Sequence, residues 1–302
     1  NQIAYLGLER GGLKIIDISN PSEPVLLSGL DTRSANSLKK EGNYLYVGDG
    51  TGGLKIVDVS NPLEPRITGR IDDIYAVDIE VAGGHAFISD YPWSITVVDV
   101  SSPSSPLYVY SVTPAPTPDG QTPISTPIPP VYPPPTETPH PEERFPVEMT
   151  KAGDYIYLRT LISPQLRIFD VSSPSLPVQV HEEVMGISDL LADGNRLYVA
   201  NNRTVLDIFD IASPTSPLRL GGLEETEEWT ESVAVYGQYA FIGMSQYGIS
   251  RLQMVDIADP AHPVSIGLLP LSGKPNAIAV DGDYVYVMVE ANINVCEIFR
   301  FQ

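Results

Sequence analysis

The sequence predicts an all-β fold, a seven-bladed β-propeller of four-stranded antiparallel blades. Three observations predict it: an eight-residue motif recurring about every 41 residues, Tyr-rich alternating segments between the copies, and 24 Gly with 29 Pro in 302 residues. The motif runs Lys14–Pro21 (KIIDISNP), Lys55–Pro62 (KIVDVSNP), Thr96–Pro103 (TVVDVSSP), Arg167–Pro174 (RIFDVSSP), Asp207–Pro214 (DIFDIASP) and Gln253–Pro260 (QMVDIADP). A degenerate seventh copy is Asn294–Phe301 (NVCEIFRF), which puts the acidic position at Asp17, Asp58, Asp99, Asp170, Asp210, Asp256 and Glu297. The spacings are 41, 41, 71, 40, 46 and 41, so the long one is a repeat plus an insert of about 30 residues.

Each unit contains the same parts in order. A half-polar strand A ends in a Gly turn (Glu41-Gly42-Asn43, Asp193-Gly194-Asn195, Asp281-Gly282-Asp283), and strand B alternates Tyr with aliphatics (YLYV at 44–47, YIYL at 155–158, YVYV at 284–287). Strand C is the motif up to its Asp, and strand D follows a second proline (Pro24, Pro65, Pro106, Pro177, Pro217, Pro263). Four short strands in about 40 residues fit a radial blade better than a solenoid coil. The chain begins at strand B of the first unit and ends at strand C of the last. Strand A of blade one and strand D of blade seven are therefore absent from the pattern: either residues upstream of Asn1 supply a closing strand, or closure is imperfect there. The start at Asn1 rather than Met points to a trimmed product of a longer precursor.

An Asp at the end of every strand C reads first as a turn residue that accepts backbone N–H bonds, so Asp17, Asp58, Asp99, Asp170, Asp210 and Asp256 are assigned a structural role. Pro-x-x-Pro, present once in each of the first six units, likewise reads as turn and strand entry. KIVDVSNP and TVVDVSSP, with the downstream proline in place, resemble the LVIVD-repeat family of cell-surface and exported propeller proteins. The resemblance covers nearly the whole chain except the proline-rich insert. It implies the fold and an extracytoplasmic setting, and it brings no catalytic residues. The seventh copy departs from it, with Glu297 in place of Asp and no Ser-Asn-Pro.

In such a blade the A–B and C–D turns share one end, while the B–C and D–A loops share the other. The regular turns fall at the first end and most irregularity at the second. Thr113–Pro146 joins blade three to blade four and carries 13 of the 29 prolines, which favour polyproline II over strand. It reads as a solvated linker, an O-glycosylated stretch, or an arm whose Tyr132 and Phe145 dock on a neighbour. Glu224–Glu231, with Glu225, Glu228 and Trp229, reads as a solvated acidic loop, a calcium site or a contact for a basic partner. The B–C loops add Asp90-Tyr91-Pro92-Trp93, Asn201–Thr204 with a formal N-glycosylation sequon at Asn202, and Met244–Gly248. Binding candidates are accordingly Asp90, Tyr91, Trp93, Glu225, Glu228, Trp229, Tyr132 and Phe145.

A formal net charge of −20 opposes nucleic acid and anionic lipid, and no apolar run reaches about 18 residues, so neither nucleic acid nor direct membrane insertion is expected. Nucleophile elbow, His-Glu-x-x-His, Walker loop and Cys-x-x-Cys are all missing, and His85, His140, His181 and His262 fall on unrelated positions. Cys296, in an apolar strand pattern, reads as a buried small hydrophobe. The expectation is a non-enzymatic propeller without cofactor, exported from a prokaryote, that meets a protein partner or another copy of itself through the B–C/D–A loop face. The alternatives are a lectin-like propeller binding a glycan or small ligand, and a propeller hydrolase or lyase.

Overall fold

The computed structural model describes residues 2–8, 11–90, 94–112, 148–160, 165–201, 203–224, 229–290 and 295–301. All regular structure among the described residues is antiparallel sheet, and no helix there is long and apolar enough to cross a membrane. The first sheet is β1 (Ile3–Leu8), β2 (Gly12–Asp17) and β3 (Val25–Leu30). The second is β4 (Ser37–Glu41), β5 (Tyr44–Gly48), β6 (Leu54–Asp58) and β7 (Arg66–Ile71), and the third β8 (Ala76–Ala82), β9 (His85–Asp90), β10 (Ser94–Asp99) and β11 (Leu107–Val112). The fourth is β12 (Met149–Ala152), β13 (Tyr155–Thr160), β14 (Gln165–Asp170) and β15 (Val178–Val184); the fifth is β16 (Asp189–Asp193), β17 (Arg196–Ala200), β18 (Thr204–Asp210) and β19 (Leu218–Glu224). The sixth is β20 (Trp229–Tyr236), β21 (Tyr239–Gln246), β22 (Ile249–Asp256) and β23 (Val264–Leu271), and the seventh β24 (Lys274–Asp281), β25 (Tyr284–Glu290) and β26 (Val295–Arg300).

Each sheet is thus a run of consecutive strands, with five sheets of four strands and three-stranded sheets first and last. Among the described residues the first sheet has no strand A and the seventh no strand D, as the motif order predicts. The chain forms two compact units, one holding β1 to β11 and the other β16 to β26 with most of β12 to β15.

The A–B turns need a positive φ, and glycine supplies it without a steric penalty: Gly42, Gly153, Gly194, Gly237 and Gly282 sit at φ between 55° and 60°. At the C–D turns the Asp carboxylate accepts the N–H two residues on. Ser19, Ser60, Ser101, Ser172, Ala212 and Ala258 donate to Asp17, Asp58, Asp99, Asp170, Asp210 and Asp256 at 2.8–2.9 Å. Bonds from the Ser hydroxyl and backbone hold the Asp17, Asp58 and Asp99 carboxyls below the usual carboxylate range.

The seventh copy is in a different register from the one its spacing predicts. Asp58, Asp99, Asp210 and Asp256 pair with the first residue of their strand B, and in the seventh sheet the residue opposite Tyr284 is Arg300. Val59 donates to Asn43 O at 2.9 Å, and its counterpart is Phe301, which donates to Asp283 O at 2.9 Å. The motif match is therefore EIFRF to KIVDV, with Arg where Asp is expected, and Glu297 instead accepts the Ser272 N–H at 2.8 Å. Cys296 is exposed rather than buried, on a strand that pairs with β25 alone among the described residues.

Sheets pack through their apolar faces: Leu13 and Ile15 meet Leu45, Val47 and Val57, for example, while Leu206 and Ile208 meet Ala240, Ile242 and Val255. A second, polar contact recurs at the rim. In five sheets the C–D ladder slips by one residue, a β-bulge at the same place each time. The residue just past it lies four positions after the second proline: Ser28, Gly69, Tyr110, Gly221 and Gly267, with His181 at the equivalent position of the fourth sheet.

From there the strand touches the C–D turn of the following sheet. Ser28 Oγ donates to Pro62 O at 2.5 Å, Tyr110 Oη donates to Pro177 O at 3.3 Å, and His181 Nδ1 lies 3.2 Å from Thr215 O. A Cβ at Gly69 would collide with Pro103 O, and one at Gly221 would lie 2.6 Å from Pro260 O. A Cβ at Gly267 would meet only Met254 of its own sheet, at 3.7 Å. Gly69→Ala is therefore expected to destabilise the chain by about 1–3 kcal/mol, and Gly267→Ala by less than about 0.5 kcal/mol. Equal urea midpoints for the two variants would contradict the contact.

Candidate functional site

Acidic residues on the first strands of the sheets are a natural place to look for chemistry, and the structure shows Asp78 and Asp189 occupied with structural work. Ser37, Asp78 and Asp189 hold the same position, five residues before the turn glycine. Each accepts the backbone N–H of the next sheet: Ile79 N to Ser37 Oγ at 3.2 Å, Met149 N to Asp78 Oδ2 at 2.6 Å, and Val233 N to Asp189 Oδ2 at 2.7 Å. Asp78 also accepts Ile79 N at 2.8 Å and the Ser37 hydroxyl. Lys39 reaches Glu80 of the next sheet at 2.7 Å.

Of the binding candidates read from sequence, Tyr91, Trp93, Glu225, Glu228, Tyr132 and Phe145, together with the whole proline-rich segment 113–146 and Asn202, lie outside the described residues. Asp90 is described and holds its own loop: Oδ1 accepts Tyr75 N at 2.9 Å and Oδ2 accepts the Thr96 hydroxyl at 3.2 Å. Its counterpart Asp49 accepts Ser34 N at 2.6 Å. Both carboxylates organise the entry into strand A.

Trp229 has different surroundings. It opens β20 and is 57% exposed. The register places Trp229, Ser245, Ser250 and Leu271 in one row across the sixth sheet, hence on one face. The β20–β21 ladder slips between Thr230 and Ser232, leaving Glu231 as the extra residue. Its Oε1 accepts the Ser245 hydroxyl at 2.6 Å, and its Oε2 pairs with Lys274 at 3.0 Å. An exposed indole thus shares a face with two serines, one of which donates to the Glu231 carboxylate that also pairs with Lys274.

The same sheet carries a second distinctive feature. Its four strands are each eight residues long, and β21 and β22 meet through the two-residue turn Tyr247-Gly248. Both residues have positive φ, 49° and 80°, which a hairpin of this length requires. Glycine suits that conformation, whereas tyrosine is strained in it by about 1–2 kcal/mol. Tyr247 is 93% exposed, and Ile249 beside it is 52% exposed. The sequence flagged Met244–Gly248 only as a variable loop; the signal for a longer hairpin is that no Gly-Gly, Pro or Asn-Gly interrupts YAFIGMSQ or ISRLQMVD, with Tyr-Gly as the two residues between them.

A polar depression of about 370 Å³ lies between the fifth and sixth sheets, at the opposite ends of their strands, and includes Asp193, Arg196, Tyr198 and Gln238. Among the described residues no three His, Cys, Asp or Glu side chains are grouped so as to hold a metal ion.

Residues 3–32, 32–73, 75–113, 187–222, 229–268 and 272–293 match the LVIVD repeat. The chain belongs to the LVIVD-repeat family. The fourth copy lies outside the matched segments, yet β12 to β15 form a sheet of the same order. No curated protein is significantly similar to the chain.

Among solved structures, the chain is similar to a candidate 6-phosphogluconolactonase from Bacteroides fragilis, at 13% identity and TM-score 0.73, over 99% of this LVIVD chain and 90% of that one. It is also similar to a protein from Lactobacillus plantarum, at 13% identity and TM-score 0.71, over 99% and 91%. The β-propeller domain of Swd1 from Myceliophteria thermophila matches at 12% identity and TM-score 0.66, over 95% and 90%. With seven sheets of this strand order, the fold of the LVIVD chain is a seven-bladed β-propeller.

Burial raises the Asp78 carboxyl above its ordinary 3.8, against the opposing pull of hydrogen bonds from Ser37, Met149 and Ile79 and of the Lys39 charge. Folding then favours the neutral acid, so this contribution to stability is whole below about pH 3.8 and is lost as pH rises through the folded value. In Asp78→Asn the titration vanishes and an NH₂ faces one of the two backbone N–H groups, leaving a deficit of about 1–3 kcal/mol at neutral pH. Urea unfolding of both proteins from pH 4 to 8 should show their difference in stability shrinking with pH; a constant difference would refute it.

Proposed function

We propose that this LVIVD-repeat propeller is a non-enzymatic, extracytoplasmic binding module that engages a protein partner through the tip of its sixth sheet. The observation that carries the reading is Tyr247: a large aromatic held at positive φ and almost fully exposed, at the end of a hairpin longer than the fold needs. Strain of this kind persists where the surroundings enforce it and is concentrated at functional sites. Tyrosine and tryptophan are the side chains that most often anchor protein interfaces, because they bury a large area with little loss of rotamer freedom. The extracytoplasmic setting rests on the family resemblance and is checked by protease accessibility on intact cells.

The test compares the wild-type chain with a Trp229→Ala/Tyr247→Gly double variant as bait for solubilised cell-surface proteins. The wild type should retain a defined partner that the double variant releases. Capture of the same proteins in the same amounts by both would overturn the reading. Tyr247→Gly alone should raise stability by about 1 kcal/mol by relieving the left-handed strain, a gain readable in urea unfolding that sets strain relief against loss of binding.

A second reading is favoured by the Trp229 row. An indole in a row with two serines, one of them bonded to a carboxylate that pairs with an ammonium, is the mixture of apolar face and oriented polar groups that recognises a sugar ring. A glycan array on which the wild type binds and Trp229→Ala does not would select this reading over a protein partner.

A further inference from the structure

In the second to seventh sheets strand B opens two residues after a turn glycine, on Tyr44, His85, Tyr155, Arg196, Tyr239 and Tyr284. The tyrosines at this position pack against the sheet that follows. Tyr44 lies against the cluster that holds Val100, Tyr155 against the one that holds Ile211, and Tyr239 stands edge-on to Phe301 with ring centroids 6.1 Å apart. Val100, Ile211 and Phe301 are one position of the repeat, each donating its N–H to the carbonyl of the residue after a turn glycine. In the sixth sheet that position is Ile257, and the fifth sheet brings Arg196 to it in place of a ring. The depression of about 370 Å³ lies there, lined by Asp193, Asn195, Arg196, Gln238, Ile257 and the buried Tyr198. Both sheets have their four strands and belong to one compact unit, so the gap follows from the exchanged side chain and not from an absent strand.

The depression carries one charge of each sign. Asp193 and Arg196 are directly opposite across the β16–β17 turn, hence on one face. Arg196 forms no ion pair among the described residues, and the carboxylate on its other side, Asp210, is committed to Ala212 N at 2.8 Å. Burial raises the Tyr198 hydroxyl above its ordinary range; the Arg196 charge and hydrogen bond oppose the rise, and the Asp193 charge adds to it, so both charges act on the same wall.

We propose that this depression is a binding site for a free aromatic α-amino acid. The ring of the ligand takes against Ile257 the place that the Tyr155 ring takes beside Ile211 and the Tyr239 ring beside Phe301. Its carboxylate meets the Arg196 guanidinium, whose planar fork suits that group, and its ammonium meets the Asp193 carboxylate. A ring with a single charge would leave one of the two side chains unanswered, whereas a zwitterion answers both and adds no net charge to a chain at −20. The volume falls within the range of about 300–1,000 Å³ common to small-ligand sites. The depression lies at the opposite end of the strands from Trp229 and Tyr247, so the two proposals fail independently.

The probe is L-phenylalanine, titrated against the full chain and followed by saturation-transfer NMR. Saturable binding is expected, and it should weaken by at least about tenfold, or ~1.4 kcal/mol, for phenethylamine, which lacks the carboxylate, and for phenylpropionate, which lacks the ammonium. Arg196→Tyr restores the residue that the repeat uses elsewhere. It should abolish binding without lowering the urea midpoint, because the new ring has Ile257 to pack on. Asp193→Asn, a change at an exposed turn residue, should weaken phenylalanine by at least about tenfold and leave phenylpropionate as it is in the wild type. The Trp229→Ala/Tyr247→Gly variant should bind as the wild type does. Absence of saturable binding, equal binding of phenylalanine and either analogue, or equal binding by the wild type and Arg196→Tyr overturns the proposal. So does displacement of phenylalanine by glucose at equal concentration, which would assign the depression to neutral sugars.

Discussion

The contact between the bulged outer strand of one sheet and the turn carbonyl of the next is the constraint on which the rest of the structure depends. Apolar faces supply most of the driving force between sheets, but they are non-directional and would tolerate sliding. The bulge aims one residue outward, and the turn, fixed by its Asp carboxylate, offers it a backbone oxygen at a defined place. Where the residue is glycine, the two backbones touch; where it is Ser28, a hydroxyl spans the gap. Register between neighbouring sheets follows from this pairing.

That constraint explains why so little of the regular end of the sheets is available for chemistry. The repeated Asp residues hold turns, Asp78 and Asp189 hold the next sheet's first strand, and Asp49 and Asp90 hold loop entries. An acidic protein with carboxylates in every repeat thus commits many of them to backbone N–H groups. The sixth sheet departs from the pattern by adding length rather than charge, and its added length ends in Tyr247. What varies between repeats, not what recurs, marks the candidate surface.

Much of the fold was legible in the sequence because the motif states its own structural logic: apolar alternation, an Asp that turns the chain, a proline that ends the turn. The two strands not found among the described residues of the first and last sheets could be counted from the motif order alone. The register of the last copy could not, since spacing from Asp256 pointed to Glu297, and only the ladder from Tyr284 to Arg300 shows where the strand sits. Cys296 was misread for a related reason: an apolar pattern does not reveal whether a neighbouring strand exists to cover it. The contact four residues past the second proline is chemically heterogeneous, Ser, Gly, Tyr and His, so no pattern of residue types discloses it. Trp229 was found because tryptophan is rare here, while the strain at Tyr247 is a property of backbone angles that no composition carries.

The hydrogen bonds between first strands also have a direction. Ser37, Asp78 and Asp189 each supply the acceptor, and Ile79, Met149 and Val233, which supply the donors, come later in the chain. Every sheet is closed by strands that are consecutive, so it can complete its own ladder with short loops before its successor exists. A finished sheet then presents a waiting carboxylate or hydroxyl to the next strand that emerges. Assembly can proceed in the order of synthesis, each blade acting as the template on which the following one is seated. In Asp78 that template waits across the longest interval, through the entire proline-rich segment, before Met149 arrives.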